Sequence, residues 1–148
     1  MELYHIYNRG NHKEQICFDS KDLNVLKKMF LELIGSSKKA SLISLCIMPN
    51  HYHVLVAIKK RKDLSVWMRE IGRNYTIYMN RKYSLVGRIF QGPYQKKKID
   101  DFIYFRTLVQ YMRDNPKELL YSKHLSELIE NRKLIEYYDF FLVTKSLP

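Results

Sequence analysis

Apolar residues along this chain fall into two kinds of segment: short β-prone runs, and longer stretches with helical spacing. Residues 3–8 are rich in Tyr and Ile and end in Arg9-Gly10-Asn11, which predicts a strand followed by a turn. From Ser20, placed to cap a helix with Asp22 in its first turn, Leu23, Leu26, Met29, Phe30, Leu33 and Ile34 recur at helical spacing until Gly35 stops them. Residues 40–48 predict a second strand and residues 51–59 a third. Only Pro49-Asn50 separates them, so the two form a hairpin. Residues 64–80 repeat the helical pattern through Val66, Trp67, Ile71, Tyr75 and Tyr78, with Asp63 serving the N-terminus. Residues 87–99 mix β-prone and basic positions around Gly92-Pro93, which predicts a strand with a bulge or bend. Asp100-Asp101 opens a third helix that Pro116 is expected to end near Asn115. A last helix is expected over 123–136, with Leu125, Leu128, Ile129 and Leu134 on its apolar side.

The order β-α-β-β-α-β-α-α begins with the six elements of the ferredoxin-like split βαβ unit. The expected fold class is therefore α+β: a βαββαβ antiparallel sheet with two helices on one face, an added C-terminal helix carrying Tyr111, and a further terminal helix. The other sheet face is left for the third helix or for a ligand. A length of 148 residues fits one domain, 1–148, with a core over about 3–116 and a helical extension over about 117–148.

Composition narrows the class. With 46% hydrophobic and 28% charged residues the chain has the makings of a globular core, and five Gly and four Pro are too few for a collagenous or linker-like protein. No apolar run approaches the roughly 18–20 residues that cross a bilayer, and the first residues lack a basic region followed by an apolar one. Cys17 and Cys46 have no Cys-x-x-Cys spacing, which fits a reducing compartment. These features predict a cytoplasmic protein with no membrane partner. Charge adds a partner: 26 Lys and Arg against 15 Asp and Glu leave +11, a surface that phosphate backbones reward through counterion release.

The chemistry-bearing residues are few. In His51-Tyr52-His53, at the start of the third strand, residues two apart point the same way, so both imidazoles stand on one face while Tyr52 joins Val54, Val56 and Ile58 on the other. Such a pair is half of a metal site, or simply two half-exposed histidines on a sheet; a catalytic metal needs at least three ligands. Tyr111 and Asn115 lie four apart on the third helix, and none of Tyr75, Tyr78, Tyr104, Tyr137 and Tyr138 has an Asn, Gln, His, Asp or Glu four residues later. A nucleophile and a carbonyl oxygen on one rigid turn suit metal-assisted phosphoryl transfer. Equally, Tyr104, Leu108 and Tyr111 read as a core seam, with Asn115 as a helix cap.

The segment Cys46-Ile47-Met48-Pro49-Asn50-His51-Tyr52-His53-Val54-Leu55-Val56 resembles the HUH motif of the single-tyrosine transposases, in particular the REP-associated tyrosine transposases and related small insertion sequences. Tyr4-His5-Ile6-Tyr7-Asn8-Arg9-Gly10-Asn11, Phe90-Gln91-Gly92-Pro93-Tyr94 and Tyr111-Met112-Arg113-Asp114-Asn115-Pro116 agree in order and spacing, so the resemblance spans most of the chain. It implies a metal-dependent transposase that cuts and rejoins single-stranded DNA, with recognition of hairpin ends. In it His51, His53 and Asn115 hold a divalent ion and Tyr111 attacks the phosphodiester to leave a 5′-phosphotyrosine and a free 3′-OH. Mixed imidazole and oxygen ligands suit Mn²⁺ and tolerate Mg²⁺. The resemblance leaves open whether Tyr111 serves its own histidine pair or that of a second subunit in a homodimer.

Candidate DNA contacts are Arg9 and Asn11 in the first loop, Arg73, Arg88, Tyr94, and Lys96, Lys97 and Lys98 on the last strand, with Tyr7 and Phe90 as further aromatic surfaces for stacking bases. Two other classes share parts of this pattern. A noncatalytic ferredoxin-like nucleic-acid-binding protein needs the sheet and the charge but not the His pair with a helix tyrosine. A metal-dependent hydrolase uses the same ion without a covalent intermediate.

Overall fold

The computed structural model describes residues 2–119 and 136–139. Its strands are β1 (Glu2–Arg9), β2 (Ala40–Ile47), β3 (His51–Ile58), β4 (Gln95–Ile99) and β5 (Glu136–Asp139), and its helices α1 (Ser20–Phe30), α2 (Arg61–Tyr83) and α3 (Phe102–Leu119). The strands form one antiparallel sheet in the order β4-β1-β3-β2-β5. Its first four strands have the split βαβ arrangement, so the α+β ferredoxin-like class holds.

Period-two patterning separates the two faces. Tyr4, Ile6, Leu42, Leu45, Ile47, Tyr52, Val54, Val56 and Ile58 face a core closed by α1 and α2, through Leu23, Leu26 and Phe30 of the first helix and Leu64, Met68, Ile71, Tyr75 and Met79 of the second. Ile43, Cys46, Leu55, Ala57 and Ile99 face α3, which presents Phe105, Leu108 and Met112. Burial of such apolar side chains, each worth roughly 1.5–3 kcal/mol, favours the docking of α3 on this face. The register slips between Leu42 and Ser44, a bulge that changes which parity of β2 faces the helices; the sequence carries it as the three-residue step from Leu42 to Leu45.

Several boundaries differ from expectation. The N-cap of α1 is Asp19, not Ser20: its side chain accepts from Asp22 N–H at 2.8 Å, and Asp22 accepts from Asp19 N–H at 3.3 Å. Asp22 is fully buried and also receives Phe18 N–H, the hydroxyls of Tyr78 and Tyr83, and the Lys82 ammonium, which ties the start of α1 to the end of α2. The expected strand over 87–99 shrinks to β4, because Gly92-Pro93 breaks the ladder; before it, only Phe90 bridges to Gly10. α3 does not stop near Asn115 but runs on to Leu119. Pro116 thus sits inside the helix, where it removes one N–H donor and crowds the preceding turn. The expected last helix lies on residues outside those described, except Glu136, which instead opens β5 against β2. β5 pairs an otherwise open sheet edge with a β-prone Tyr137-Tyr138 segment.

Candidate functional site

The α3 face of the sheet ends in a cluster of imidazoles. In the β1–β3 register Tyr7 opposes His53 and Arg9 opposes His51, so four side chains converge where β3 begins. The hairpin turn before His51 is braced from outside. Ile16 N–H and Cys17 N–H both donate to Pro49 O, at 2.7 and 3.2 Å, and Gly10 N–H donates to Asn50 O at 2.8 Å. A Cβ on Gly10 would lie 1.9 Å from Glu14 O, so only glycine permits that approach.

The rings of His51 and His53 stand 5.1 Å apart, nearly perpendicular at 85°. His51 Nδ1–H donates to Asn50 Oδ1 at 2.7 Å, and His53 Nδ1 shares a proton with His5 Nε2 at 3.0 Å. Burial is the main force on all three. It holds His51 below the usual imidazole range, pushes His53 down to about 3 with the charges of His51 and His5 adding, and pushes His5 down to about 4 with Lys97 adding. At neutral pH all three are uncharged, the state in which an imidazole can ligate a cation.

Tyr111 comes to this cluster from α3. Its ring meets that of His53 edge to face, at 5.8 Å and 86°. The buried seam of α3 is Phe105, Leu108 and Met112 rather than Tyr104, Leu108 and Tyr111; Tyr111 remains 42% exposed. The core-seam alternative for Tyr111 therefore fails. The backbone of Asn115 lies one turn further along the same helix, and its side chain lies outside the described residues.

A cleft of about 730 Å³ opens beside the histidines, lined by Tyr7, Arg9, Lys13, His51, His53 and Gln95 among others. Of the candidate DNA contacts, Arg9 lines this cleft, and its Nε–H donates to Gln91 Oε1. Asn11 sits in a short turn with its N–H on Ile89 O. The three lysines of β4 do not act together. Lys97 opposes His5 on the histidine face with its ammonium 4.3 Å from the centre of the Tyr104 ring, while Lys98 pairs with Glu2 at 3.2 Å and Asp100 at 3.7 Å. Lys96 lies 6.0 Å from the ring of Tyr94, whose hydroxyl meets Ser65 Oγ at 3.3 Å. Arg73 is exposed on α2, across the sheet from the histidines, and Arg88 lines a separate hollow of about 420 Å³ with Gly72 and Thr76. Phe90 is no stacking surface: it is buried against Tyr52 and Tyr75.

Among the described residues no group of three or more His, Cys, Asp or Glu suits a metal ion. What the site offers is a pair of neutral, adjacent imidazoles, each engaged through Nδ1, beside an open cleft. That donor set fits a divalent ion whose remaining positions go to oxygen ligands, and it does not make a closed zinc site. Sequence reading missed His5 and Asn50. Asn50 was within reach as the neighbour of His51, but His5 is 48 residues from His53 and only the strand register brings them together.

Comparison with known proteins finds a family model and solved structures that this chain resembles. The family model described as "Transposase IS200 like" matches residues 2–115. A solved structure of a REP-associated tyrosine transposase bound to a REP hairpin superposes with a TM-score of 0.63 at 18% identity, covering 85% of this chain and 72% of that one. A protein of Deinococcus radiodurans R1 described as a transposase gives a TM-score of 0.54 at 16% identity, covering 78% of this chain and 91% of that one. At such identities the two structures establish a shared fold. No curated protein matches.

Proposed function

Because the chain belongs to the family of IS200-like transposases, we propose that it is a metal-dependent enzyme that cleaves and rejoins single-stranded DNA through a 5′-phosphotyrosine on Tyr111. The observation that carries this reading is the contact of Tyr111 with His53 within one chain, beside His51 and an open basic cleft. The hairpin bound by the REP-associated relative supports a DNA hairpin as the substrate in this reading.

His51 and His53, with Asn115 as a third donor from α3, would hold a Mn²⁺ or Mg²⁺ ion. When bound, such an ion would supply Lewis-acid chemistry, drawing charge from the phosphate and easing nucleophilic attack. The rest falls to the chain's own side chains. α3, docked by Phe105, Leu108 and Met112, carries Tyr111 to the histidine pair, so the nucleophile is held beside the site before DNA arrives. The phenol oxygen forms the new P–O bond, its proton departs to solvent, and the 3′ oxygen leaves with the bonding pair. The phosphodiester energy is kept, so a 3′-OH can reverse the step and join a different end. Arg9 and Lys13 attract the backbone entering the cleft, and Tyr7, 38% exposed, offers a ring to a base.

Incubation of the protein with a single-stranded DNA hairpin and Mn²⁺, followed by a denaturing gel, tests the reading. A protein–DNA adduct that depends on Mn²⁺ and is lost in both Tyr111→Phe and His51→Ala/His53→Ala is the expected result. Cleavage without an adduct would make the protein a metal-dependent hydrolase, and binding without cleavage a nucleic-acid-binding module.

A further inference from the structure

His5 is a third imidazole on the histidine face, and the proposed chemistry leaves it without a task. It opposes Leu55 in the β1–β3 register and so reaches His53 diagonally, with its ring stacked at 5.2 Å and 25°. At 7% exposure it is buried, and a buried polar ring demands a partner; it finds one in His53 Nδ1, 3.0 Å from its Nε2. Lys97, which opposes it on the other side, can only donate.

A single proton lies between the two nitrogens, and its owner decides what His53 can do. If His5 donates, neutral His53 carries its own proton on Nε2 and has no lone pair left for a cation. If His53 donates from Nδ1, its Nε2 keeps the lone pair. At His51 the choice is fixed by chemistry. Asn50 Oδ1 accepts and cannot donate, so the proton is on Nδ1 of His51 and the lone pair on its Nε2.

We propose that His5 is a positioning residue that accepts a hydrogen bond from Nδ1–H of His53, so that His5 and Asn50 together hold both histidines in the one tautomer whose Nε2 binds a cation. The proposal rests on the metal reading above and adds to it the residues that orient the ligands. Such outer partners fix ring rotation as well as tautomer, which keeps both nitrogens aimed before an ion arrives.

Long-range ¹⁵N–¹H correlation spectra of the full-length, metal-free protein at pH 7 read the tautomers directly. His53 and His51 are both expected as Nδ1–H. His5→Phe, which keeps a ring but removes the acceptor, moves His53 toward the Nε2–H form and leaves His51 unchanged; Asn50→Ala does the converse. Titration with Mn²⁺ alone shows affinity reduced roughly 10–100-fold by His5→Phe and largely restored by His5→Gln, whose carbonyl replaces the acceptor. A wild-type protein with His53 as Nε2–H, or equal Mn²⁺ affinity in His5→Phe, overturns the proposal. The wild-type spectrum decides even if a variant fails to fold. Wild-type protein that shows the Nδ1–H tautomers yet binds no Mn²⁺ sinks the metal reading and leaves the tautomer assignment standing.

Discussion

Tyr111 meets His53 edge to face at 5.8 Å, a contact that sets a phenol of α3 against the histidine pair. Two segments far apart in the chain make this contact, and each is held by its own side of the fold. β3 is locked by register between β1 and β2, and α3 is held by its buried seam.

Removal of the tyrosine oxygen alone therefore leaves the architecture intact. Tyr111→Phe is expected to abolish DNA cleavage and the covalent adduct, to leave hairpin affinity within a few-fold, and to change unfolding free energy by less than about 0.5 kcal/mol, because the position is 42% exposed. Gel-shift titration and thermal melting check the two silent quantities. Residual adduct in the variant would move the nucleophile elsewhere.

The buried imidazoles make the metal-free protein acid-labile in a defined window. His5 and His53 titrate near 4 and 3 in the folded chain, both held down mainly by burial, against 6.5 in the unfolded one. Between those values the unfolded chain binds protons that the folded chain refuses, so stability is full above about pH 6.5 and falls as pH drops. Urea unfolding is expected to show a loss of roughly 4 kcal/mol between pH 7 and pH 5, about 2 from each imidazole. The His5→Phe/His53→Phe variant should lose most of that slope; an unchanged slope would assign it to other groups.

The sequence held much of this in plain sight, and the reasons for the rest are physical. Period-two and helical patterns located β1, β2, β3 and all three described helices, because each element buries one face and its sequence must show it. His51 and His53 were paired by strand alternation, a local rule. The His5–His53 contact needs the register of two strands 48 residues apart, which no local rule supplies. The end of α3 is hidden in the sequence because a proline usually marks a helix boundary, whereas here Pro116 lies inside a helix that continues to Leu119. The lysines of β4 looked like one phosphate track in sequence. Alternation splits them between faces, and Glu2 and Asp100 take one of them.

That split carries a prediction for DNA binding. Arg9 lines the cleft directly opposite His51, so Arg9→Ala should weaken hairpin binding and reduce the slope of log affinity against log salt by about 1. Lys98 is already matched by two carboxylates and Lys98→Ala should change the slope far less. Salt-dependent fluorescence anisotropy on the same hairpin compares them. Equal slopes for the two variants would place the DNA path outside the histidine cleft.

Gly10 joins fold and site most tightly. Its φ of −62° and ψ of 147° are open to any residue, so the need for glycine there is one of space rather than of backbone conformation. A methyl group at that point would sit 1.9 Å from Glu14 O, a backbone atom that cannot swing aside. Relief must come from a shift of the 10–14 turn. That turn is bonded to Asn50 O through Gly10 N–H, and the chain just beyond it is bonded to Pro49 O through Ile16 and Cys17 N–H. The displacement thus passes to Asn50, whose Oδ1 sets His51. Gly10→Ala should cost roughly 1–3 kcal/mol of stability and also weaken Mn²⁺ binding several-fold, although no atom of Gly10 belongs to the site. Urea unfolding measures the first effect and calorimetry the second, in conditions where the variant is still folded. Loss of stability with full Mn²⁺ affinity would show that the brace supports the fold but not the ligand pair, and wild-type stability would show that the turn relaxes without reaching Pro49.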